Sequence, residues 1–191
     1  MANNAPPAAR RRVEDACPPW IIRSATAGDA AQLRAIYAPY VSDTCVSFET
    51  EVPTAAEFAA RIRESLSRWA YLVCEAQGEI VGYAYAGPHR ARTAYRYSAD
   101  VSVYIRRDFQ RRGIGKALYT ALFERLKARG IYTLFAGIAL PNLGSVGLHK
   151  AMGFHEVGVY HRAGYKAGRW IDVLWLELPL RAYDTPPDEQ A

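Results

Sequence analysis

The residues with the clearest capacity for chemistry lie together in segment 110–116. In order, the segment contains Gln110, Arg111, Arg112, Gly113, Ile114, Gly115 and Lys116. Glycines let a ligand approach the backbone closely, and arginine and lysine supply positive charge. At the start of a helix, free N–H groups and the positive end of the helix dipole add to the attraction for an anion. The segment therefore predicts a binding site for a phosphate or pyrophosphate group.

The flanking segments indicate the elements that would position this loop. Residues 101–105 read Val-Ser-Val-Tyr-Ile, and such β-branched and aromatic residues favour a strand. Residues 114–129 favour a helix with an apolar row that consists of Ile114, Leu118, Leu122 and Leu126. Gly130 follows as a typical helix stop. The pattern predicts a strand, a glycine-bearing loop and a helix N-terminus.

Two common nucleotide-binding loops do not match the segment. A nucleoside-triphosphate loop has glycine at the position of Gln110 and a hydroxyl residue at the position of Ala117. A dinucleotide loop has a third glycine, where this chain has Leu118, and an acidic residue about twenty positions on. Between Glu124 and Glu156 the chain has no Asp or Glu. The remaining pattern, Q-x-x-G-x-G after a strand, would by itself also fit a basic first turn of a surface helix.

Composition limits the class of protein. The chain has 191 residues, of which 50% are hydrophobic, and this suits one domain with a sizeable core. The net charge of +5 permits binding to nucleic acid or to small anions, but the basic residues are scattered. Cys17, Cys45 and Cys74 are odd in number and have no C-x-x-C spacing, which indicates neither a disulfide framework nor a zinc site. We expect a cytoplasmic protein, because neither a membrane-spanning run nor a secretion signal is evident.

The organisation of the chain predicts a flexible leader at 1–19, one domain at 20–180 and a flexible tail at 181–191. The first helix is expected to be capped by Thr26 or Asp29 and disturbed at Pro39. The other expected elements are strands at 20–23, 71–75, 80–85, 101–105, 131–138, 154–162 and 170–178, and helices from about 54, at 114–129 and at 142–152. A hairpin turn is expected at Gln77-Gly78, between the second and third strands. This mixture predicts an α/β fold with a mixed sheet flanked by helices.

Several segments together resemble one enzyme superfamily. They are residues 87–95, 102–104, 140–142, 148–154 and 163–172, together with the Q-x-x-G-x-G loop. They are similar to the GNAT superfamily of N-acetyltransferases and, within it, to the phosphinothricin and methionine sulfoximine N-acetyltransferases. The resemblance spans about residues 20–178. It implies the GNAT fold, with a mixed central sheet flanked by helices, and acetyl-CoA as co-substrate.

The resemblance also implies which residues hold acetyl-CoA. Main-chain groups of the fourth strand would pair with the pantetheine arm, and the phosphate loop would hold the pyrophosphate. The residues so assigned are Val103, Tyr104 and Ile105 on the strand, and Arg111, Arg112, Gly113, Ile114, Gly115 and Lys116 on the loop. Asn142 is expected to hydrogen-bond the cofactor arm, and it is equally an ordinary helix N-cap.

Acetyl transfer from a thioester to an amine requires a base for the amine and help for the departing thiolate. Asp100 lies where relatives carry a glutamate that acts as the base; as the shorter residue, it favours a water relay. His149 lies two helical turns after Asn142 and would reach toward the sulfur end of the cofactor. Tyr104 is a further candidate proton donor. Each residue has a plainer alternative: Asp100 as a solvated carboxylate at a strand end and His149 as a polar core residue. Tyr104 is one of 13 tyrosines, so its position alone is weak evidence.

Substrate selection is assigned to Arg90, Arg92 and Tyr95 in the loop before the fourth strand. Guanidinium groups match the oxygens of a carboxylate, phosphinate or sulfone, which indicates an amino-acid-like substrate. Phe48 would wall the pocket. The alternative for the two arginines is an exposed basic loop, and the alternative for Phe48 is ordinary core packing. A cysteine-acetylated intermediate is not favoured, because Cys74 falls within a strand.

The sequence thus predicts a homodimeric, cytoplasmic N-acetyltransferase that acts by direct transfer on a small amino acid analogue. No metal, nucleic acid or membrane is expected to take part. Three other interpretations remain: a catalytically silent acetyl-CoA-binding module, a basic protein associated with nucleic acid, and an acetyltransferase for another amine.

Overall fold

The computed structural model describes residues 20–184 and residue 187. The strands are β1 Ile21–Ser24, β2 Tyr71–Ala76, β3 Glu79–Pro88, β4 Ser98–Ile105, β5 Thr133–Ala139, β6 His155–Lys166 and β7 Arg169–Pro179. The α-helices are α1 Ala30–Ser42, α2 Ala55–Arg68, α3 Ile114–Ala128 and α4 Leu143–Ala151. The predicted leader and most of the predicted tail lie outside the described residues, and the division into leader, domain and tail stays a prediction.

The strands form one mixed sheet in the order β1-β2-β3-β4-β5-β7-β6. Neighbouring strands are antiparallel except for β4 and β5, which are parallel. This parallel pairing is short and joins residues 98–100 to residues 133–135. Beyond Asp100, β5 continues to pair with β7, while β4 continues to pair with β3. The two central strands therefore diverge from Asp100 onward, and the main chain of β4 faces a gap instead of a neighbouring strand.

Helices cover both faces of the sheet. Helices α1 and α2 pack on one face through a cluster that includes Leu33, Phe58 and Ile62. Helix α3 packs on the other face, where the predicted row of Ile114, Leu118, Leu122 and Leu126 is at most 1% exposed. Truncating such a leucine to alanine typically costs about 2–5 kcal/mol. The predicted α/β architecture is confirmed, because an apolar helix stripe lies on each face of a mixed sheet.

Local signals agree with the sequence at most element ends. Thr54 and Glu57 form a reciprocal capping box at the start of α2. Gln77 and Gly78 have φ angles of 55° and 79°, as a tight β-hairpin turn requires. The expected disturbance at Pro39 does not end α1, since the helix continues to Ser42 and the carbonyl of Pro39 accepts the N–H of Asp43.

The long β6–β7 hairpin reaches the loop that joins α1 to α2. The Lys166 ammonium donates to three carbonyl oxygens of this loop and its helix end, at 2.7–2.8 Å; these belong to Val41, Ser47 and Glu49. Nearby, the Phe48 ring lies so close to Gly164 that an added Cβ would overlap it. The hairpin therefore holds the α1–α2 loop through contacts from β6. Within the described residues, no helix has the length and apolar character needed to cross a membrane.

Candidate active site

The predicted phosphate loop lies directly before α3. Gly113 has a φ angle of 83°, and Arg111 has a φ angle of 59°. This left-handed backbone turns the chain from β4 into the helix, and glycine adopts it without strain. Arg111, Arg112 and Lys116 are exposed, so their charges are available to an anion beside the helix N-terminus. The Ile114 side chain is buried in the core, so this residue offers a ligand only its main chain.

Two further contacts shape the loop. The side-chain amide of Gln110 donates to the Tyr40 hydroxyl at 3.0 Å, and that hydroxyl donates to the carbonyl of Ile105 at 2.5 Å. Tyr40 thus ties the loop to the end of β4 and occupies one of the main-chain groups assigned to the pantetheine arm. Gly115 lies against α4, where a Cβ would stand 3.1 Å from the Leu148 side chain. The second glycine of the motif therefore permits the close approach of α3 and α4.

The divergence of β4 and β5 creates a narrow cavity of about 60 Å³. Val103 and Tyr104 line it from β4, and Asn142, Ser145 and His149 line it from α4. The Asn142 side chain accepts the N–H of Ser145 at 3.1 Å, which makes Asn142 the N-cap of α4. The free edge of β4 and this narrow space fit an extended chain with amide groups, such as pantetheine.

A wider cleft of about 670 Å³ adjoins the narrow cavity. Asp100 lines the cleft, together with Phe48 and Glu49 from the α1–α2 loop and Tyr160 and Trp175 from the β6–β7 hairpin. Six residues line both spaces, namely Val46, Val101, Ser102, Tyr104, Gly137 and Ala139. The two spaces therefore meet beside Asp100, as a reaction between two bound molecules requires.

Asp100 is half-buried and is held by a histidine. Its Oδ1 atom lies 2.6 Å from Nδ1 of His89. Burial raises the pKa of Asp100 above its ordinary value, and the hydrogen bond with His89 opposes that rise. A carboxylate with a raised pKa binds a proton more readily, which suits a general base.

His149 is only 3% exposed and has partners at both ring nitrogens. Nδ1 lies 2.8 Å from the carbonyl oxygen of Ser145, so it carries the proton, because a carbonyl only accepts. Nε2 then accepts from the Tyr119 hydroxyl at 2.9 Å. Burial lowers the pKa of His149, which favours the neutral ring. Both Tyr119 and His149 line the narrow cavity.

Tyr104 is surrounded by other tyrosine rings. Its ring centroid lies 4.9 Å from that of Tyr37, 5.1 Å from Tyr40 and 5.3 Å from Tyr83. Burial raises the pKa of Tyr104 well above its ordinary value. The hydroxyl therefore stays protonated at neutral pH, and the part of Tyr104 in the chemistry stays a prediction.

The predicted substrate residues occupy different positions around the cleft. Phe48 forms part of its wall. The Arg90 guanidinium lies 5.4 Å above the ring of Trp175, a residue that lines the cleft. Tyr95 stands edge-on to His89 at 5.8 Å. Arg92 is exposed. Arg90, Arg92 and Tyr95 are not among the residues that line the cleft. Substrate contact by these four residues stays a prediction.

The sequence interpretation missed several residues that shape the site. His89, Tyr119, Tyr40 and Trp175 were assigned no role, although each touches a predicted site residue or lines a cavity. Lys166 was also assigned no role, although it holds the loop that carries Phe48. The antiparallel register of β3 and β4 places Gly87 opposite Asp100 and so brings His89 near Asp100, and the sequence alone does not give this register. In the described ranges, no group of three or more His, Cys, Asp or Glu residues is placed to hold a metal ion.

Comparison with known proteins places this site in a family. A family profile described as an acetyltransferase (GNAT) domain matches residues 22–175. The chain therefore belongs to the GNAT acetyltransferase family, and it is an N-acetyltransferase. The predicted superfamily, fold and enzyme class are confirmed.

Curated relatives narrow the comparison further. The chain is 41% identical to a phosphinothricin N-acetyltransferase of Streptomyces viridochromogenes over 84% of its own length and 90% of the relative's. It is 36% identical to an L-methionine sulfoximine/L-methionine sulfone acetyltransferase of Pseudomonas aeruginosa, over 83% of its own length and 94% of the relative's. A phosphinothricin acetyltransferase structure from Sinorhizobium meliloti in complex with AcCoA matches with a TM-score of 0.86 and 34% identity. The match covers 90% of this chain and 94% of the other.

Proposed function

We propose that the protein transfers the acetyl group of acetyl-CoA to the primary amine of a small, amino-acid-like substrate with an oxygen-rich head group. Phosphinothricin and methionine sulfoximine or sulfone are the substrate types. The observation that carries this proposal is the meeting of the narrow cavity with the wide cleft beside Asp100. Relatives whose names carry these substrates support the same choice.

Acetyl-CoA supplies the activated acyl group, and different residues of the chain would bind its different parts. The exposed cations of the loop and the first N–H groups of α3 would hold the pyrophosphate. The free edge of β4 at Val103 would hold the pantetheine arm. Because the Ile105 carbonyl already accepts from Tyr40, Val103 and Tyr104 are the better placed partners of that arm.

Asp100 would take the proton that the acceptor amine must lose, directly or through one water molecule. Its raised pKa and its place between the two spaces support this role. Tyr119 also lines the narrow cavity, and it would serve as a hydrogen-bond donor to the departing thiolate by turning its O–H from Nε2 of His149 toward the sulfur. His149 would hold that hydroxyl in place instead of donating a proton itself, because its own Nδ1–H is committed to Ser145.

Direct transfer is favoured over an acetylated cysteine. Cys74 is fully buried in the core, and burial raises the pKa of its thiol to about 11. A thiol of this kind is a poor nucleophile at neutral pH. Cys45 lines a different pocket, beside Arg169. Replacing Cys74 with alanine should leave turnover unchanged in protein that remains folded.

Homodimer formation is part of the proposal. The exposed apolar side chains of the β6–β7 hairpin are Val157, Val159, Tyr160, Tyr165 and Trp170. A patch of this kind supports a protein–protein contact. Sedimentation equilibrium across a range of protein concentrations tests it: a monomer at every concentration would contradict it.

The function is tested by incubating the protein with acetyl-CoA and candidate amines and identifying products by mass spectrometry. N-acetylated phosphinothricin or methionine sulfone is the expected product. If calorimetry detects acetyl-CoA binding while no amine is acetylated, the silent binding module is the correct interpretation. Preferential acetylation of a polyamine would instead favour another acceptor class.

A further inference from the structure

Asp100 has a histidine partner supplied by the segment that follows β3. His89 lies one residue beyond Pro88, the last residue of this strand. Pro88 pairs with Ala99 and Gly87 pairs with Asp100, so the chain leaves β3 beside the carboxylate. The resulting bond joins Nδ1 of His89 and Oδ1 of Asp100 at 2.6 Å. The hairpin register thus delivers one histidine nitrogen to one carboxylate oxygen.

Aromatic rings fix the His89 imidazole on three sides. It stacks on Phe135, with a centroid distance of 4.0 Å and an angle of 16° between the planes. Tyr95 and Trp175 contact it edge-on, at 5.8 Å and 5.9 Å. Only 10% of the His89 side chain is exposed, whereas 36% of the Asp100 side chain is exposed. The ring is the fixed partner of the pair, and the carboxylate is the one that reaches the cleft.

We propose that His89 is a positioning residue for the reaction, and that its Nδ1–H holds Oδ1 of Asp100 so that Oδ2 is left to accept the proton of the substrate amine. This inference rests on the proposed acetyl transfer to an amine. A carboxylate with a rotating terminal bond presents its oxygens in many directions, and a hydrogen bond from a locked ring restricts that rotation. The amine would therefore meet one oxygen in one orientation.

Removal of the hydrogen bond from His89 should raise the pKa of Asp100. The bond favours the charged carboxylate, while burial disfavours it. Arg90 also favours the charged form through its own charge. The other titratable groups around the cleft are Tyr37, Glu49, Tyr85, Tyr104 and Tyr160. Without His89 the burial effect is opposed less, so the pKa of Asp100 rises and the acidic limb of the rate profile moves to higher pH.

The test compares two substitutions of His89. His89→Phe keeps a ring that can stack on Phe135 but removes the donor, and His89→Asn keeps an N–H close to the position of Nδ1. We expect His89→Phe to lower kcat at least tenfold, to leave the KM for acetyl-CoA unchanged and to move the acidic limb upward. His89→Asn should restore the wild-type position of that limb. His155→Phe, which breaks a surface bond to Glu177, is the matched control and should leave kcat unchanged.

A titration without substrate separates this inference from the proposed function. Carboxyl carbon NMR reports the pKa of Asp100, and the signal is assigned by its loss in Asp100→Asn. We expect a higher pKa in His89→Phe than in the wild type and in His89→Asn. An unchanged pKa in His89→Phe, or equal shifts in both variants, overturns the proposal. If the wild type acetylates no amine, the proposed function fails, and the titration still decides the part of His89.

Discussion

The Tyr119 hydroxyl on α3 donates to Nε2 of His149 on α4 across 2.9 Å. Both side chains are buried, and both residues line the narrow cavity. Because His149 donates its only proton to the Ser145 carbonyl, its Nε2 atom can only accept from Tyr119. Under the proposed function, Tyr119 and not His149 is therefore the donor at the narrow cavity.

Replacing Tyr119 with phenylalanine should lower kcat at least tenfold, because the hydroxyl is removed from the narrow cavity. It should also leave the buried His149 Nε2 without its partner, at a cost of about 1–3 kcal/mol in the free energy of unfolding. Steady-state kinetics and urea unfolding measure the two effects. Tyr165→Phe, at an exposed position, is the control. An unchanged kcat in Tyr119→Phe would remove this hydroxyl from the mechanism.

Replacing Asp100 with asparagine should lower kcat about 100-fold or more while the Kd for acetyl-CoA stays unchanged, since a general base contributes on this scale. The same substitution should increase the free energy of unfolding. The folded-state pKa of Asp100 is raised, so its ionisation destabilises the folded protein as pH rises through that pKa. The variant should gain stability relative to the wild type as pH rises above the ordinary aspartate pKa of 3.8.

Asp108→Asn is the control for this stability effect. The hydrogen bond from Arg106 lowers the pKa of Asp108, so the ionised form stabilises the folded protein at neutral pH. Asp108→Asn should therefore become less stable than the wild type as pH rises, and its kcat should be unchanged. Wild-type turnover by Asp100→Asn at every pH would show that Asp100 is not the base.

Replacing Lys166 with methionine should loosen the α1–α2 loop, because three carbonyls lose a charged donor. We expect a loss of about 2 kcal/mol in unfolding free energy and a higher KM for the amine, with the KM for acetyl-CoA unchanged. Lys150→Met removes an exposed ion pair with Glu156 and should change stability by less than about 1 kcal/mol. Equal effects of the two substitutions would contradict the role given to Lys166.

Replacing Gly113 with alanine should strain the phosphate loop, since its φ angle of 83° disfavours a side chain by about 1–2 kcal/mol. The N–H groups and cations around the bound pyrophosphate would shift, and calorimetry should detect at least a tenfold weaker Kd for acetyl-CoA. Gly78→Ala has nearly the same backbone angle, at the β2–β3 turn, and should reduce stability without affecting this Kd. A weaker Kd in both variants would indicate general destabilisation.

What the sequence predicted depended on local patterns. The apolar row of α3 and the Gln77-Gly78 turn follow from residue periodicity and turn preference, so they were predicted correctly. Most strand and helix ends agreed within a few residues. Pro39 does not end α1, because the helix continues to Ser42 and the Pro39 carbonyl accepts the N–H of Asp43.

What the sequence did not predict depends on distant contacts. Lys166 bonds to a carbonyl 125 residues away, and Tyr119 bonds to His149 across 30 residues. His89 acquires its partner through the β3–β4 register and its fixed orientation through Phe135 of another strand. Residue type alone marked Arg90 and Arg92 equally, although only Arg90 stacks on a residue of the cleft wall.

The central claim is acetyl transfer to an amino-acid-like amine with an oxygen-rich head, and a matched pair of substrates tests it most directly. Methionine sulfone and methionine share the same amine and carbon chain and differ by two oxygens on sulfur. Release of free thiol from acetyl-CoA gives kcat/KM for each. We predict a value at least tenfold higher for methionine sulfone, because the proposed substrate residue Arg90, which stacks on Trp175 of the cleft wall, would donate hydrogen bonds to the added oxygens. Equal values for the two, or no thiol release with either amine or with phosphinothricin, would contradict the account.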